Sequence, residues 1–221
     1  MLGVKIDTVP IGPAMNAFDE MLLDHFKGSK AGITEENIQS RSRGLTLMAL
    51  SNKLGAMVLS TGNKSEMSVG YATLYGDMCG GYSVLKDVYK MTVFELSKWR
   101  NKLRPNGALG PEGAVMPERI ISKPPSAELK PDQKDEDTLP PYEELDAILH
   151  GLIEDEANVQ EIASRGFDID VVMRIWQMLD RAEYKRRQAP PGVKIGHRAF
   201  GRDRRYPITN SYKASYQINN N

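Results

Sequence analysis

Residues 56–66, AMVLSTGNKSE, join a short apolar run to a turn rich in polar side chains. The run at residues 56–60 is nearly continuous in apolar residues, a pattern typical of a strand that is buried on both faces. Gly62 and Asn63 then favour a tight turn. Because open α/β sheets bind ligands beyond the carboxyl ends of their strands, this sequence predicts a ligand site at residues 60–66.

The segments before and after this stretch predict alternating strands and helices. Residues 4–9 alternate apolar and polar side chains with β-branched residues, which indicates a strand. Apolar residues at positions 14–26 recur at three- and four-residue spacing and predict a helix that faces the core. A second helix is predicted from an N-cap at Thr34 to about Lys53. The predicted fold class is α/β, a parallel sheet flanked by helices.

Proline marks the next part of the chain. Eight of the thirteen prolines lie in residues 105–141, so this segment is predicted to be one long loop that covers a functional site. Residues 142–187 carry apolar stripes at helical spacing and predict a helical C-terminal part whose last helix ends near Arg187. Residues 209–221 form a polar tail that we expect to be mobile.

The composition excludes several classes of protein. The 29 Lys and Arg residues balance 29 Asp and Glu residues, which removes any whole-chain attraction to nucleic acid or to an anionic membrane. No apolar run approaches the roughly 18 residues that a membrane span needs, and a single cysteine, Cys79, cannot form an internal disulfide. The N-terminus lacks the layout of a signal peptide, so the predicted location is the cytoplasm.

Three groups of polar residues are candidates for chemistry. The Thr61 hydroxyl could bond a base or ribose and Glu66 could hold Mg²⁺, although an ordinary capped turn explains the same residues. Asn37 and Arg41 share one helix face and could together hold a carboxylate or phosphate, with an exposed polar face as the alternative. Lys90 enters a predicted helix and could meet a phosphate there, or it could be a solvated lysine.

Longer blocks of sequence resemble one family. In chain order they are ENIQSRSRG at 36–44, LSNKLGAMVLSTGNKSEMSVGYATLYGD at 50–77, LKDVYK at 85–90, ERIISKPPSAEL at 118–129, DTLPPYEELD at 137–146 and RAEYKRRQAPPGVKIGHRAFGRDRRYPI at 181–208. Together they resemble the synthetase domain of NAD⁺ synthetase, in particular the bacterial glutamine-dependent kind. The resemblance covers a domain at residues 1–208 and leaves out the polar tail.

The resemblance implies an adenine nucleotide hydrolase-like sheet flanked by helices, usually in a homodimer. It also implies a two-step reaction. The nicotinate carboxylate of deamido-NAD⁺ attacks the α-phosphorus of ATP and releases pyrophosphate, and ammonia then displaces AMP to give NAD⁺. Mg²⁺ would accompany ATP, because charge develops on the phosphoryl oxygens during adenylation.

The resemblance also assigns roles to single residues. Those assigned to ATP are Thr61, Lys90 and Ser126. Those assigned to deamido-NAD⁺ are Asn37, Arg41, Glu66 and Lys185, and Glu66 is also assigned to the metal. The ammonia-dependent relatives carry a substrate-directed lysine at the position of Leu74, where this chain has an apolar residue.

Two features of the family are not found in these 221 residues. One is the S-G-G-x-D-S loop that cradles pyrophosphate, and the other is a glutaminase domain that would release ammonia from glutamine. We therefore expect a fragment of the synthetase domain that begins after the phosphate loop. The alternatives are a non-catalytic nucleotide-binding or dimerisation module and another amidating ATP pyrophosphatase, such as a GMP synthetase.

Overall fold

The computed structural model describes residues 3–130 and 132–210. Its helices are α1 (Gly12–Leu22), α2 (Ile33–Leu54), α3 (Lys64–Val69), α4 (Lys90–Lys102), α5 (Glu118–Ser122), α6 (Tyr142–Ile153), α7 (Val159–Ala163), α8 (Ile169–Arg181) and α9 (Glu183–Arg186). Its strands are β1 (Leu59–Ser60) and β2 (Tyr82–Ser83). All but the first two residues of the predicted polar tail lie outside the described residues, so its predicted mobility is not addressed.

The two strands form a small parallel sheet. Leu59 lies opposite Tyr82 and Ser60 lies opposite Ser83, which confirms the parallel pairing of the predicted α/β class. The prediction of a longer strand buried on both faces was wrong, because Met57 and Leu59 are 67% and 54% exposed. An apolar strand is buried only where other elements cover both of its faces, and the described residues do not provide this cover for β1.

The N-terminal region differs most from its prediction. Residues 4–9 form no strand, because no described strand pairs with their backbone, and Ile6 is exposed. α1 forms, but it packs on α2 at the surface and none of its residues is buried, so it does not face the core. α2 begins at Ile33 after Gly32, so Thr34 lies within the helix and is not its N-cap.

The hydrophobic core lies in the C-terminal helices. α6, α7 and α8 pack on one another, and α3 packs on α6 and α8. Leu145, Ile148 and Leu149 on α6 are completely buried, as are Val172 and Ile175 on α8. These positions recur at three- and four-residue spacing, so they form the apolar stripes that the sequence pattern indicates.

The last predicted helix is divided at Ala182 into α8 and α9. α9 ends at Arg186, close to the predicted end of the single helix. Within the part of the chain that the structure describes, no helix combines the length and the apolar character that crossing a membrane requires.

The described residues of 105–141, which are all except 131, form a long loop that contains α5 and a 3₁₀ turn at Asp135–Asp137. Its first part is held by Arg100 near the end of α4. The Arg100 guanidinium donates hydrogen bonds to the carbonyl oxygens of Leu109, Pro111 and Gly113 at 3.2, 3.0 and 3.2 Å. The loop therefore has a fixed course although its prolines leave little room for regular structure.

Lys64, the first residue of α3, carries a completely buried charge. Its Nζ lies 2.8 Å from Asp87 Oδ1 and 2.6 Å from Glu154 Oε1, and it donates a 2.9 Å hydrogen bond to the Arg198 carbonyl oxygen. The Tyr89 ring centroid is 5.1 Å from the same nitrogen. A buried ammonium is stable only when it is paired and hydrogen-bonded, so these contacts tie the start of α3 to the end of α6 and to the C-terminal segment.

Lys64→Ala tests this tie. The substitution leaves the Asp87 and Glu154 carboxylates buried without their cation, so we expect the free energy of unfolding to fall by about 3–5 kcal/mol. Urea denaturation followed by circular dichroism measures the loss. Lys5→Ala is the control, because the Lys5 side chain is 84% exposed and its removal should change stability far less. Equal losses in the two variants would show that Lys64 does not hold α3 in place.

Candidate functional site at the two ends of helix α3

The turn after β1 leads directly into α3. Asn63 is the N-cap of α3, and its side chain accepts a hydrogen bond from the Glu66 amide at 3.0 Å. Glu66 Oε2 in turn accepts from the Asn63 amide at 3.1 Å. This reciprocal capping box satisfies two backbone donors and fixes the orientation of the Glu66 side chain. Thr61 lies two residues before the cap and is exposed.

Glu66 and Lys90 form an ion pair between α3 and α4. Lys90 Nζ lies 3.0 Å from Glu66 Oε1, and both side chains remain partly accessible to solvent. The same nitrogen lies 5.8 Å from the ring centroid of Phe94 and 5.1 Å from that of Tyr142. Aromatic faces attract a cation, so the rings and the carboxylate together hold the ammonium at the surface near the end of β1.

Ser126 lies in the long loop, and hydrogen bonds connect that loop to Tyr142. The Asp135 amide donates to the Pro125 carbonyl oxygen at 3.0 Å, and the Tyr142 hydroxyl donates to Asp135 Oδ2 at 2.8 Å. Burial and then neighbouring carboxylates raise the pKa of Tyr142, so its hydroxyl remains a donor. Ser126 Oγ accepts from the Glu128 amide at 3.1 Å. The Ser126 loop is therefore linked to the aromatic ring beneath the ion pair.

A cavity of about 600 Å³ lies between this loop and α2. Gln39 of α2 lines it together with Lys123, Ser126 and Lys134 of the loop. The volume falls within the roughly 300–1,000 Å³ that is typical of small-molecule sites. The carboxylates of Glu128 and Asp132 line it as well, and Lys123 is paired with Glu128, so the cavity suits a polar ligand without a clear preference for an anion.

Lys185 contacts the loop that follows α3, at residues 70–77. Its ammonium donates to the carbonyl oxygens of Gly70 and Ala72, both at 2.7 Å. Burial lowers the pKa of Lys185, and the nearby Asp77 carboxylate opposes that shift. Lys185 therefore fixes the first residues of this loop.

Asn37 and Arg41 of α2 contact the same loop. The Thr73 hydroxyl donates to Asn37 Oδ1 at 3.3 Å, and Arg41 Nε donates to the Leu74 carbonyl oxygen at 3.2 Å. Among the described residues, the terminal nitrogens of Arg41 have no hydrogen-bond partner, so they are free to meet a ligand anion. Arg41 and Leu74 also line a mostly apolar cavity of about 690 Å³ between α1, α2 and the loop.

The structure brings several of the predicted residues together at the two ends of α3. At its first turn Glu66 is paired with Lys90. Within the described part of the chain, Thr61 precedes this turn without a hydrogen bond to either residue, and Ser126 lines a separate cavity beside Gln39 of α2. The group at its C-terminal end is Asn37, Arg41 and Lys185. α3 is six residues long, a length of about 9 Å, and it separates the ion pair from the loop at residues 70–77.

The sequence motifs did not predict the buried polar residues that lie beneath these two groups. The Ser65 hydroxyl donates to Asp146 Oδ1, and the Arg186 guanidinium donates to the Ser68 carbonyl oxygen at 2.8 Å. The partners are 81 and 118 positions apart, so no local spacing connects them. Their position inside the long sequence blocks is the signal that could have drawn attention to them.

The fit of this site to a metal ion depends on Glu66. Among residues 3–130 and 132–210, no group of three or more His, Cys, Asp or Glu side chains is placed to hold a metal. Glu66 Oε2 accepts from the Asn63 amide and Oε1 is paired with the Lys90 ammonium, so both oxygens already have a partner. Mg²⁺ is commonly held by one or two carboxylates together with substrate phosphates, so Glu66 fits an ion that arrives with a nucleotide whose phosphates draw Lys90 away from Oε1.

The sequence is similar to known proteins over most of its length. The NAD synthase family model matches residues 1–189. The chain is 53% identical over 212 residues to the glutamine-dependent NAD(+) synthetase of Acinetobacter baylyi, and 52% identical over 212 residues to that of Thermotoga maritima. Each match covers 96% of this chain but only 38% and 36% of the relative, respectively. The chain therefore spans little more than a third of the length of these relatives.

Solved structures show the same fold. The glutamine-dependent NAD(+) synthetase of Cytophaga hutchinsonii matches with a TM-score of 0.74 at 20% identity, over 95% of this chain and 34% of that one. The NMN synthetase of Francisella tularensis matches with a TM-score of 0.62 at 27% identity, over 82% of this chain and 64% of that one. Because the family model matches most of the sequence and more than half of the residues aligned with these curated relatives are identical, the chain belongs to the NAD synthase family.

Proposed function

We propose that this chain supplies the synthetase site that converts deamido-NAD⁺ to NAD⁺ with ATP. The observation that carries the proposal is the Glu66–Lys90 ion pair beyond the end of β1 in a chain of the NAD synthase family. An ammonium next to a carboxylate suits a nucleotide and its metal ion, since one group attracts phosphate and the other attracts a cation.

In the first step, the nicotinate carboxylate attacks the α-phosphorus of ATP, and pyrophosphate leaves. Lys90 would contact the phosphates, and the Thr61 and Ser126 hydroxyls would bind the nucleotide. Negative charge grows on the phosphoryl oxygens, so an ammonium that is already in place lowers the barrier. Glu66 would hold Mg²⁺ together with phosphate oxygens, where the ion supplies positive charge.

In the second step, ammonia attacks the carbon of the adenylated carboxylate, and AMP departs as the leaving group. Asn37, Arg41 and Lys185 would hold deamido-NAD⁺ during both steps, whereas Glu66, which the resemblance also assigns to this substrate, is paired with Lys90 at the first turn of α3. The terminal nitrogens of Arg41, which have no hydrogen-bond partner within residues 3–130 and 132–210, suit a phosphate or carboxylate of this substrate. We propose that the ammonia comes from glutamine through a glutaminase domain, as the names of the glutamine-dependent relatives suggest.

We also propose that the working form is a homodimer in the cytoplasm, with α1 and α2 at the interface. Met21 on α1 and Leu45 and Leu54 on α2 are 69%, 68% and 71% exposed. Apolar side chains on neighbouring helices lose contact with water when two copies associate, so this surface favours a twofold interface. No nucleic-acid or membrane partner is proposed.

The direct test places this chain in a complete enzyme. A chimera carries this chain in place of the 212 matching residues of the Acinetobacter baylyi relative. We expect pyrophosphate release that requires deamido-NAD⁺, at a rate within about tenfold of the relative's. ATP binding without pyrophosphate release would instead support a non-catalytic nucleotide-binding module. Equal activity with xanthosine monophosphate would support a GMP synthetase.

Glu66→Gln in the chimera tests the carboxylate. Glutamine keeps the oxygen that caps α3 but removes the charge, so we expect the rate of pyrophosphate release to fall about 100-fold while the Kd for ATP changes little. Stopped-flow pyrophosphate detection and calorimetry measure the two quantities. Glu66→Ala would also remove the hydrogen bond to the Asn63 amide and cost about 1 kcal/mol of stability. A loss of activity in that variant could then come from either the missing charge or the weakened helix.

Glu161→Gln is the matched control for this substitution. Glu161 forms the same capping box with Asn158 at the start of α7, with hydrogen bonds of 2.8 and 2.9 Å. It therefore reports the effect of the same chemical change on a helix cap that does not meet the ion pair. A similar fall in rate for both variants would remove the metal role from Glu66.

Arg41→Ala tests the second group of residues. Removing a guanidinium that binds a substrate anion should raise the KM for deamido-NAD⁺ by about tenfold or more and leave the KM for ATP unchanged. Steady-state kinetics of the chimera measure both constants. Lys53→Ala removes an exposed cation from the last turn of the same helix and should change neither. Unaltered KM values in the Arg41 variant would exclude Arg41 from the substrate site.

A further inference from the structure

α4 begins without a cap of its own. Its N-cap residue, Tyr89, makes no side-chain hydrogen bond to the helix. The first amide groups of a helix have no partner inside the helix and need acceptors from elsewhere. Here the Lys90 amide donates to Ser65 Oγ at 2.9 Å, and the Met91 amide donates to Asp146 Oδ2 at 2.8 Å.

The two acceptors are bonded to each other. The Ser65 hydroxyl donates to Asp146 Oδ1, so serine and aspartate act as one unit between α3, α4 and α6. Ser65 is completely buried and Asp146 is 9% exposed. A carboxylate at the first turn of a helix is also favoured by the helix dipole. The start of α4 is therefore capped by residues from two other helices.

The same unit fixes both partners of the surface ion pair. Ser65 is the residue before Glu66, and the amide it accepts belongs to Lys90. α6 contributes a second contact, because it carries Tyr142 as well as Asp146, and the Tyr142 ring lies 5.1 Å from Lys90 Nζ. Contacts of Ser65, Asp146 and Tyr142 therefore fix the backbone and the side chain of Lys90. The same contacts fix the backbone next to Glu66.

We infer that Ser65 and Asp146 are positioning residues that set Lys90 and Glu66 for the phosphates of ATP. The inference rests on the proposed function and deepens it. Neither residue needs to touch a substrate, because each acts through the backbone amides at the start of α4 and the first turn of α3. Substrate binding at the other end of α3 should depend on them much less, since Lys185 and α2 hold that loop.

Ser65→Ala and Asp146→Asn test the inference, with ligand binding measured in the chimera and amide exchange measured in the 221-residue chain. Ser65→Ala removes the acceptor of the Lys90 amide, and Asp146→Asn keeps an oxygen for the Met91 amide but can no longer accept from Ser65. Calorimetry with ATP and Mg²⁺, and separately with deamido-NAD⁺, gives the two dissociation constants. Amide hydrogen exchange, followed by NMR, reports the protection of Lys90 and Met91.

Ser68→Ala is the matched control. Ser68 is also a completely buried serine in α3, and its hydroxyl donates to the Lys64 carbonyl oxygen at 2.6 Å within the helix. The same atoms are removed from the same helix, but no contact to α4 is lost. A general loss of stability should therefore appear in this variant too.

We expect Ser65→Ala and Asp146→Asn to raise the Kd for ATP about tenfold and to leave that for deamido-NAD⁺ nearly unchanged. Faster exchange of the Lys90 amide should appear in Ser65→Ala and not in Ser68→Ala. The inference would be overturned if the Kd values for ATP and deamido-NAD⁺ rose equally. It would also be overturned if Ser68→Ala raised the Kd for ATP as much as Ser65→Ala does. If the unmodified chimera binds no ATP while the exchange pattern appears as expected, the proposed function fails. If ATP binds and the exchange pattern is absent, only the positioning role fails.

Discussion

The position of α3 depends on the buried ammonium of Lys64. Removing an ammonium from water costs several kcal/mol, and that cost is offset only where carboxylates and carbonyl oxygens surround it. Asp87 and Glu154 meet this requirement from two different segments. At the other end of α3, the buried Arg186 guanidinium binds the Ser68 carbonyl oxygen in the same manner. Because the buried Lys64 and Arg186 both require these partners, the position of α3 in the fold is fixed.

The fixed position of α3 sets the distance between the two groups of candidate residues. Lys185, next to Arg186 in sequence, already donates two hydrogen bonds to the loop at residues 70–77. An ammonium has three protons, so at most one remains for a substrate. Lys185 therefore contributes mainly by shaping the loop that Asn37 and Arg41 also contact, and Arg41 is the residue of this group with the most unused donors.

Local sequence patterns predicted the helices well and the strands poorly. The body of α2, the stripes of α6 and the turn at residues 60–66 follow from spacing and capping, which act over a few residues. Strands need partners from distant parts of the chain, so an alternating pattern at residues 4–9 could not reveal that its backbone would be unpaired. The contact between Ser65 and Asp146 spans 81 positions, and no residue type near either one indicates the other.

Charge balance at the Glu66–Lys90 pair is the physical argument for the proposed divalent ion. Glu66 lies 3.0 Å from Lys90, so a triphosphate that reaches this ammonium also approaches a carboxylate of the same sign. Two such anions repel each other strongly at the few ångströms involved, because a partly buried site screens charge less than water does. Glu66 cannot turn away easily, since its second oxygen is held by the Asn63 amide. In the proposed function, Glu66 would hold Mg²⁺, and the ion would supply the positive charge that offsets this repulsion.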